Sequence, residues 1–267
     1  MVRVGLTKRA AGRNDNDLRE DFFPPGVTGY LIALAGNPNA GKSTVFNALT
    51  GLRQHTGNWP GKTVLQARGT YSHRGETFTL VDLPGTYSLL ATSLEEQVAR
   101  DFICFGNPSV TTVVVDATCL ERNLNLVLQV MEVTTRVVVC LNLMDEARRK
   151  NIEIDVPALA RELGVPVVPA AARSGEGLLE LKETISGVAA GTIPTDPRPV
   201  VYDEDIERAA VRLARELRPL LKGRVNARWV ALRLLEGDEG ILMALKQHLG
   251  IPVSQLEVKL QLKGVPA

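Results

Sequence analysis

The chain has 267 residues, of which 45% are hydrophobic and 23% charged, values typical of a soluble globular protein with one or two domains. Its 31 Lys and Arg residues balance 30 Asp and Glu residues, and the net charge of +1 gives no reason to expect a nucleic-acid partner. Three cysteines without metal-ligand spacing indicate buried, reduced thiols. No apolar run approaches the ~20 residues that span a bilayer, and the polar N-terminus excludes a signal peptide, so we expect a soluble chain.

The predicted elements begin after a polar N-terminal segment. Residues 1–29 are interrupted by proline and glycine and are predicted to be a flexible extension. Beyond them, strands are predicted at residues 30–35, 77–81, 111–115, 136–141 and 166–168, and helices at residues 43–49, 94–105, 123–134 and 156–163. This alternation predicts an α/β domain over residues 30–190, with a mostly parallel sheet and helices on both faces.

The connection between the first predicted helix and the strand at 77–81 does not fit a helix. It contains Gly51, Gly57, Pro60, Gly61 and Gly69, and a glycine-rich segment of this length inside an α/β domain favours a functional loop. A strand near residues 64–71 is predicted to follow it and to form a hairpin with the strand at 77–81.

A domain boundary is predicted at residues 187–199, where Gly191, Pro194, Pro197 and Pro199 interrupt any periodicity. Beyond it, amphipathic stretches at residues 203–221, 226–235 and 241–249 predict a small all-helical domain over residues 200–250. Residues 251–267 are predicted to be a C-terminal tail or linker.

A phosphate-binding motif lies between the first predicted strand and the first predicted helix. It reads Gly36-Asn37-Pro38-Asn39-Ala40-Gly41-Lys42-Ser43 and matches G-x-x-x-x-G-K-[ST] at every fixed position. Glycine lets backbone N–H groups wrap a phosphate, and the following helix points its positive end at the same group. Lys42 is predicted to contact the β- and γ-phosphates and Ser43 to ligate Mg²⁺, with Thr44 beside them.

Three further motifs, in the order typical of GTPases, indicate GTP or GDP as the nucleotide. Asp82-Leu83-Pro84-Gly85 follows a predicted strand, so Asp82 is predicted to hold Mg²⁺ through water and the Gly85 N–H to meet the γ-phosphate. Asn142-Leu143-Met144-Asp145 resembles the N-K-x-D motif of Ras-like GTPases, whose Asp accepts hydrogen bonds from guanine N1 and N2. Ala171-Ala172-Arg173 stands where those proteins have S-A-K, and the Ala172 N–H is predicted to meet guanine O6.

A loop that is unusual among GTPases precedes Asp82 and reads Gly57-Asn58-Trp59-Pro60-Gly61-Lys62-Thr63-Val64. It occurs with Asp82-Leu83-Pro84-Gly85-Thr86-Tyr87-Ser88-Leu89 and with Asp116-Ala117-Thr118-Cys119-Leu120-Glu121-Arg122-Asn123-Leu124. Together these segments resemble the FeoB family of ferrous-iron transporters, and residues 227–238 resemble the helical, GDI-like domain of that family. Lys62, Leu65 and Gln66 depart from its commoner residues.

The resemblance covers roughly residues 30–250 and implies a Ras-like P-loop GTPase domain that regulates or powers ferrous-iron uptake. It implies a membrane transport domain C-terminal to this chain, and a place on the cytoplasmic face of the inner membrane of a bacterium or archaeon. Small Feo accessory proteins and further copies of the chain are the candidate protein partners, whereas no nucleic acid is expected.

The resemblance also implies roles for individual loop residues. Thr63, flanked by Gly61, Lys62 and Val64, would be the switch I threonine, which closes on Mg²⁺ when the γ-phosphate is present. Asn39 would be a potassium ligand where other GTPases use an arginine finger; its alternative role is to satisfy the turn after Pro38. Catalytic roles therefore fall to Lys42, Thr63, Asn39 and Gly85, and metal ligation to Ser43, Thr63, Asp82 and Asn39. Thr86 occupies the position of the water-orienting Gln of Ras-like enzymes, which predicts slow hydrolysis.

Other functions fit parts of the pattern. A stand-alone GTPase that acts on RNA or ribosomes shares the phosphate motif, but that class usually carries a basic module that this nearly neutral chain lacks. A P-loop ATPase or kinase would conflict with Asn142 and Asp145. A degenerate fold that binds no nucleotide would conflict with the intact Lys42, Ser43 and Asp82.

Overall fold

The computed structural model describes residues 29–51, 54–59, 62–90 and 93–256. Seven strands form one sheet in the order β2-β3-β4-β1-β5-β6-β7. Their bounds are β1 Tyr30–Gly36, β2 Gln54–Asn58, β3 Leu65–His73, β4 Glu76–Asp82, β5 Val110–Asp116, β6 Val137–Asn142 and β7 Val167–Pro169. Neighbouring strands from β4 to β7 run parallel, whereas β2 and β3 extend the sheet as antiparallel hairpin partners.

Helices cover both faces of this sheet. Their bounds are α1 Lys42–Thr50, α2 Leu94–Phe105, α3 Leu120–Val133, α4 Met144–Arg149, α5 Val156–Leu163, α6 Leu178–Ala190, α7 Glu204–Leu221, α8 Ala227–Leu235 and α9 Glu239–Leu249. Successive side chains of β1 enter different cores, because side chains alternate across a strand. Ile32 packs in one core with Phe46 of α1, and Ala33 packs in the other with Phe102 of α2. The predicted fold class is confirmed.

The predicted strands and helices of the α/β domain all occur, most of them within one or two residues of their predicted ends. β2, α4 and α6 were not predicted. β2 reads Gln-His-Thr-Gly-Asn, which carries no apolar alternation, and it is a strand because its backbone pairs with β3. Residues 1–28 and 257–267, which hold the predicted extension and most of the predicted tail, lie outside the described residues.

The three predicted helices of the C-terminal part are α7, α8 and α9, and they pack on the face formed by α2 and α3. Leu217 of α7 and Leu245 of α9 belong to the same buried apolar cluster as Phe102 and Val127 of the α/β domain. The proline-containing connection after α6 is also hydrogen-bonded to the α/β domain, because the Arg198 N–H donates to the Leu163 carbonyl at 3.0 Å. The helical part therefore shares a core with the α/β domain.

The cysteines and the helix lengths test two further predictions made from the sequence. Cys104 and Cys140 are buried free thiols as predicted, whereas Cys119 is exposed because it lies in the turn that precedes α3. Within the part of the chain that the structure describes, no helix has the length and apolar character needed to cross a membrane.

Candidate functional site

The phosphate motif forms the turn between β1 and α1. A Cβ on Gly36 would lie 2.6 Å from the Val114 carbonyl oxygen, and one on Gly41 would lie 2.3 Å from Asn142 Nδ2, so neither position has room for a side chain. Gly41 also has φ +81°, a conformation that L side chains rarely adopt. No side chain caps the N-terminus of α1, and Ser43 and Thr44 in its first turn are exposed. These features fit an anion that approaches the backbone closely.

Lys42 and Asp82 form an ion pair at the centre of the site. Lys42 Nζ donates a hydrogen bond to Asp82 Oδ1, and only 10% and 14% of the two side chains are exposed. Asp82 ends β4 directly beside Leu34 of β1, so the sheet register itself brings the carboxylate to the phosphate loop. Burial raises the pKa of the Asp82 carboxyl above its usual value, although the charge and hydrogen bond of Lys42 oppose that change. Carboxylate and hydroxyl oxygens, which Asp82 and Ser43 provide, are hard donors of the kind that Mg²⁺ prefers.

The segment after Asp82 is attached to β1 and to α3. The Leu83 N–H donates to the Leu34 carbonyl at 3.0 Å, and the Thr86 N–H donates to the Gly36 carbonyl at 3.2 Å. A Cβ on Gly85 would approach Pro38 Cα to 3.3 Å, so the predicted γ-phosphate loop lies against the phosphate motif. These bonds bring Pro84 and Gly85 to the same edge of the sheet as Lys42.

Thr86 and its neighbours are held by side chains whose role the sequence did not reveal. The Thr86 hydroxyl donates to the Ser88 carbonyl at 2.6 Å and is buried within its own loop. Gln129 of α3 accepts a hydrogen bond from the Leu89 N–H at 2.6 Å. The guanidinium of Arg122 lies 4.3 Å from the centroid of the Tyr87 ring. Arg122 belongs to a segment that the resemblance singled out, but its contact with Tyr87 and that of Gln129 with Leu89 have no sequence signal, since both are ordinary polar positions on a helix.

Asn142 connects the phosphate loop to the loop that holds Ala172. Its Nδ2 donates to the Ala40 carbonyl at 3.0 Å, and its Oδ1 accepts the Ala172 N–H at 3.1 Å. The residue is 1% exposed. The Asn142 amide thus joins the phosphate loop to the loop after β7, and the Ala172 N–H, which the sequence predicts to meet guanine O6, donates to this amide.

The remaining guanine-motif residues continue from Asn142 into α4. Leu143 has φ +62° and precedes α4, and the Met144 N–H donates to the Ala170 carbonyl at 3.1 Å. Asp145 lies in the first turn of α4 with 40% of its side chain exposed, and its Oδ2 is 3.9 Å from Nη2 of Arg149. Ala171 is buried and Arg173 is exposed on the neighbouring loop. Asp145 thus presents an accessible carboxylate beside the loop that follows β7.

Thr63 lies in a turn that is held on α2. The Trp59 N–H donates to the Val64 carbonyl and the Lys62 N–H to the Trp59 carbonyl, both at 2.9 Å. Trp59 is buried against the edge of Phe102, with ring centroids 5.3 Å apart. Thr63 itself is exposed, and among the described residues it has no hydrogen bond to the phosphate motif. Gly61 lies outside the described residues, and Asn39 is exposed with φ +67°.

Comparison with known proteins matches both parts of the chain. The family model described as Ferrous iron transport protein B matches residues 30–185. The chain belongs to the FeoB family. A second model, the FeoB cytosolic helical domain, matches residues 202–262. Residues 30–185 of this FeoB chain therefore form a P-loop domain of the GTPase type, with Asn142 linking its phosphate and base loops.

Individual FeoB relatives agree with this assignment. The chain is 43% identical over 211 residues to the Fe(2+) transporter FeoB of Escherichia coli (strain K12), an alignment that covers 78% of this chain and 27% of that protein. The cytosolic domain of T. maritima FeoB in GDP form I matches with 39% identity and a TM-score of 0.75, over 85% of this chain and 87% of that one. The separate G domain of T. maritima FeoB matches with 42% identity and a TM-score of 0.57, over 60% and 98%. The chain thus spans about a quarter of the length of the whole E. coli transporter.

Proposed function

We propose that the chain is the GTP-binding and slowly GTP-hydrolysing switch of a ferrous-iron transporter, where it regulates or powers iron uptake across the cytoplasmic membrane. The observation that carries the proposal is the convergence of four loops at the carboxyl ends of β1, β4, β6 and β7. Lys42 bonds Asp82, and Asn142 bonds both Ala40 and the Ala172 loop. The carboxyl ends of strands in open α/β sheets are where such folds bind ligands.

The phosphate half of the site assigns a task to each side chain. Lys42 would place its charge against the β- and γ-phosphates, and the Gly85 N–H would donate to the γ-phosphate. Ser43, Asp82 and Thr63 would hold Mg²⁺, which neutralises phosphate charge when bound. Thr63 would join them only with a γ-phosphate present, since its turn otherwise sits on α2.

The base half of the site would select guanine through Asp145. Its carboxylate accepts from guanine N1 and N2, a donor pair that adenine does not offer. We reassign guanine O6 from the Ala172 N–H to the Arg173 N–H, because Ala172 donates to Asn142. Among the described residues, the Arg173 N–H has no backbone acceptor. The T. maritima relative solved in its GDP form supports a guanine nucleotide here.

Potassium is the cation we assign to Asn39. Its side chain is exposed on the phosphate loop and offers a hard carbonyl oxygen of the kind that suits such a cation. A positive charge at this place would take over the role of an arginine finger, which adds on the order of 10³–10⁵ in rate in other GTPases. The transport domain, Feo accessory proteins and further copies of the chain are the partners we propose, on the cytoplasmic side of the membrane.

The test measures phosphate release from GTP in KCl and in NaCl at matched ionic strength. We expect faster hydrolysis in KCl, and a basal rate on the order of 10⁻⁴–10⁻³ s⁻¹ without potassium. Asn39→Ala should remove the difference between the salts. Asn107→Ala is the matched control. Asn107 is also exposed with positive φ, but it precedes β5 and so lies at the amino ends of the parallel strands, away from the phosphate loop. Equal rates in both salts would contradict the potassium role, and ATP competing as well as GTP would contradict guanine selection.

A further inference from the structure

A cluster of charged side chains is enclosed between α2 and the helical part of the chain. Only 3% of the Arg100 side chain and 10% of the Asp101 side chain are exposed. Arg100 donates from Nε and Nη2 to Asp101 Oδ1, at 3.0 and 2.9 Å. Arg100 also reaches the N-terminus of α9, with Nη2 3.5 Å from the Gly240 carbonyl oxygen and Nη1 4.0 Å from Oδ2 of the capping residue Asp238. Oδ1 of Asp101 therefore accepts both of its hydrogen bonds from Arg100.

The other carboxylate oxygen of Asp101 lies between a lysine and a histidine from different parts of the chain. Asp101 Oδ2 is 3.7 Å from Lys62 Nζ and 3.5 Å from His248 Nε2. Lys62 immediately precedes Thr63, and His248 belongs to α9, where it stacks on Phe105 at 4.7 Å. Burial by itself raises the pKa of Asp101, but the contacts with His248 and Arg100 outweigh burial and lower that pKa. Asp101 is therefore an anion at neutral pH.

The turn that carries Thr63 is attached to α2 at two successive residues. Lys62 faces Asp101, and Trp59 packs against the next residue, Phe102. The Lys62 N–H also donates to the Trp59 carbonyl, so the two attachments move together. At 3.7 Å the contact between Lys62 Nζ and Asp101 Oδ2 is longer than a direct hydrogen bond. The energy of this contact depends on how the His248 ring is placed around the same oxygen.

We propose that Lys62 is a positioning residue for Thr63, and that His248 sets the strength of that positioning through the shared Oδ2 of Asp101. A shift of α9 changes how Asp101 holds Lys62, and a shift of the Thr63 turn changes how Asp101 holds His248. Such coupling is reciprocal by thermodynamic necessity. The part that concerns Thr63 rests on the proposed function, whereas the coupling between Lys62 and His248 does not.

The first test needs no nucleotide, because the chain has only two tryptophans and one of them is in the turn. Replacing the buried Trp229 of α8 by Phe leaves Trp59 as the reporter. In that background, Lys62→Met should raise acrylamide quenching of Trp59 at least twofold, and Lys62→Arg should restore the original value. Lys182→Met, in which a half-buried lysine of α6 loses its contact with the Tyr71 ring, is the matched control.

The double-mutant cycle decides whether His248 acts through Lys62. In the Trp229→Phe protein that retains Lys62, we expect His248→Gln to change acrylamide quenching of Trp59 at least twofold. In the protein that also carries Lys62→Met, His248→Gln should have no further effect. Equal effects in both backgrounds would overturn the coupling, since His248 would then act by packing alone. If Lys62→Met left the acrylamide quenching of Trp59 unchanged, the positioning role of Lys62 would be overturned. That outcome does not depend on whether the His248 variant folds.

A second measurement links the contact to the proposed reaction. Lys62→Met should reduce GTP hydrolysis several-fold at unchanged GDP affinity, and Lys62→Arg should recover most of the rate. Parallel losses of both quantities would overturn a role in placing Thr63. If the unmodified chain bound no guanine nucleotide, the proposed function would fail, while the Trp59 cycle would still decide the coupling.

Discussion

Asn142 carries two of the contacts that bring the candidate nucleotide site together. Both ends of its amide are used, with the Ala40 carbonyl on one side and the Ala172 N–H on the other, and the residue is buried. Removing such an amide would leave two buried backbone groups without partners, at about 1–3 kcal/mol each. We therefore propose that Asn142 organises the loops of the site and that Asp145 contacts the base directly.

Asp145→Ala tests that division of roles. We expect its affinity for both GTP and GDP to fall by more than tenfold, because a charge-assisted hydrogen bond is worth roughly 1.5–3 kcal/mol. Titration with a fluorescent guanine nucleotide measures this loss. Glu146→Ala is the control, since Glu146 is the next acidic residue of the same helix and also contacts Arg149. Unchanged affinity in Asp145→Ala would remove this motif from the guanine site.

Thr63→Ala tests the assignment of the switch threonine. Its hydroxyl is exposed in a turn held by neighbouring residues, so removing it should leave the resting fold and the GDP affinity nearly unchanged. Hydrolysis should fall by at least tenfold, because in the proposed switch the hydroxyl contacts Mg²⁺ only with a γ-phosphate present. Single-turnover hydrolysis and GDP titration are the two measurements, with the exposed Thr56 of β2 replaced by Ala as the control. Equal loss of both quantities would place Thr63 in the resting structure.

At the scale of secondary structure, the elements with clear end signals were predicted best. α2 was predicted with its observed bounds, and it begins with a capping box in which Ser93 and Glu96 bond each other's backbone N–H groups. α6 was missed, and it begins after Gly177 without any side-chain cap. α4 was missed because it has only six residues and four of them are charged.

β2 shows how an element is determined by its partner. Residues 55–58 of this strand are exposed and none of them is a large apolar residue, and Thr56 pairs with Ala67 of β3 in an antiparallel register. β3 pairs with β4 on one side, and on its other side its N–H and C=O groups would have no partner without β2. β2 forms there because backbone N–H and C=O groups are stabilised by pairing. The loop predicted between α1 and β3 therefore consists of an edge strand followed by the Thr63 turn.

At the scale of the whole molecule, the helical part completes the core on one face of the sheet. Phe105 of α2 stacks on His248, and the Glu132 side chain of α3 accepts from the Tyr202 hydroxyl at 2.9 Å. The core on the opposite face, which contains Phe46 and Ile185, includes no residue of α7, α8 or α9. One half of the α/β core thus depends on the C-terminal helices and the other half does not.

This asymmetry leads to a prediction for a chain that ends at residue 199. We expect a folded domain that still binds GDP, because the phosphate loop and α1 belong to the independent core. Its Tm should be at least about 5 °C lower, since the apolar face of α2 and α3 becomes exposed, and its GDP release rate should change. Thermal unfolding and release of a fluorescent GDP measure both effects, with a chain ending at residue 256 as the control. An insoluble product without GDP binding would show that the two parts form one inseparable domain.

The sequence by itself determined the class of fold and predicted the chemistry of the candidate site. Lys42, Ser43, Asp82 and Asp145 belong to motifs whose spacing follows from how a strand, a turn and a helix succeed one another. Apolar residues that recur with the period of a strand or a helix likewise predict each element locally. Such information lies within a few neighbouring residues, so it can be read without knowing the fold.

Only the tertiary structure decided which side chains hold those elements together. Asn142 meets Ala40 across 102 positions of the chain, and Asp101 lies between Lys62 and His248, which come from different parts of the fold. Contacts of this kind have no period and no fixed spacing, because they depend on how the sheet and helices pack. For that reason the sequence could not show that the Ala172 N–H, predicted to meet the base, donates to Asn142.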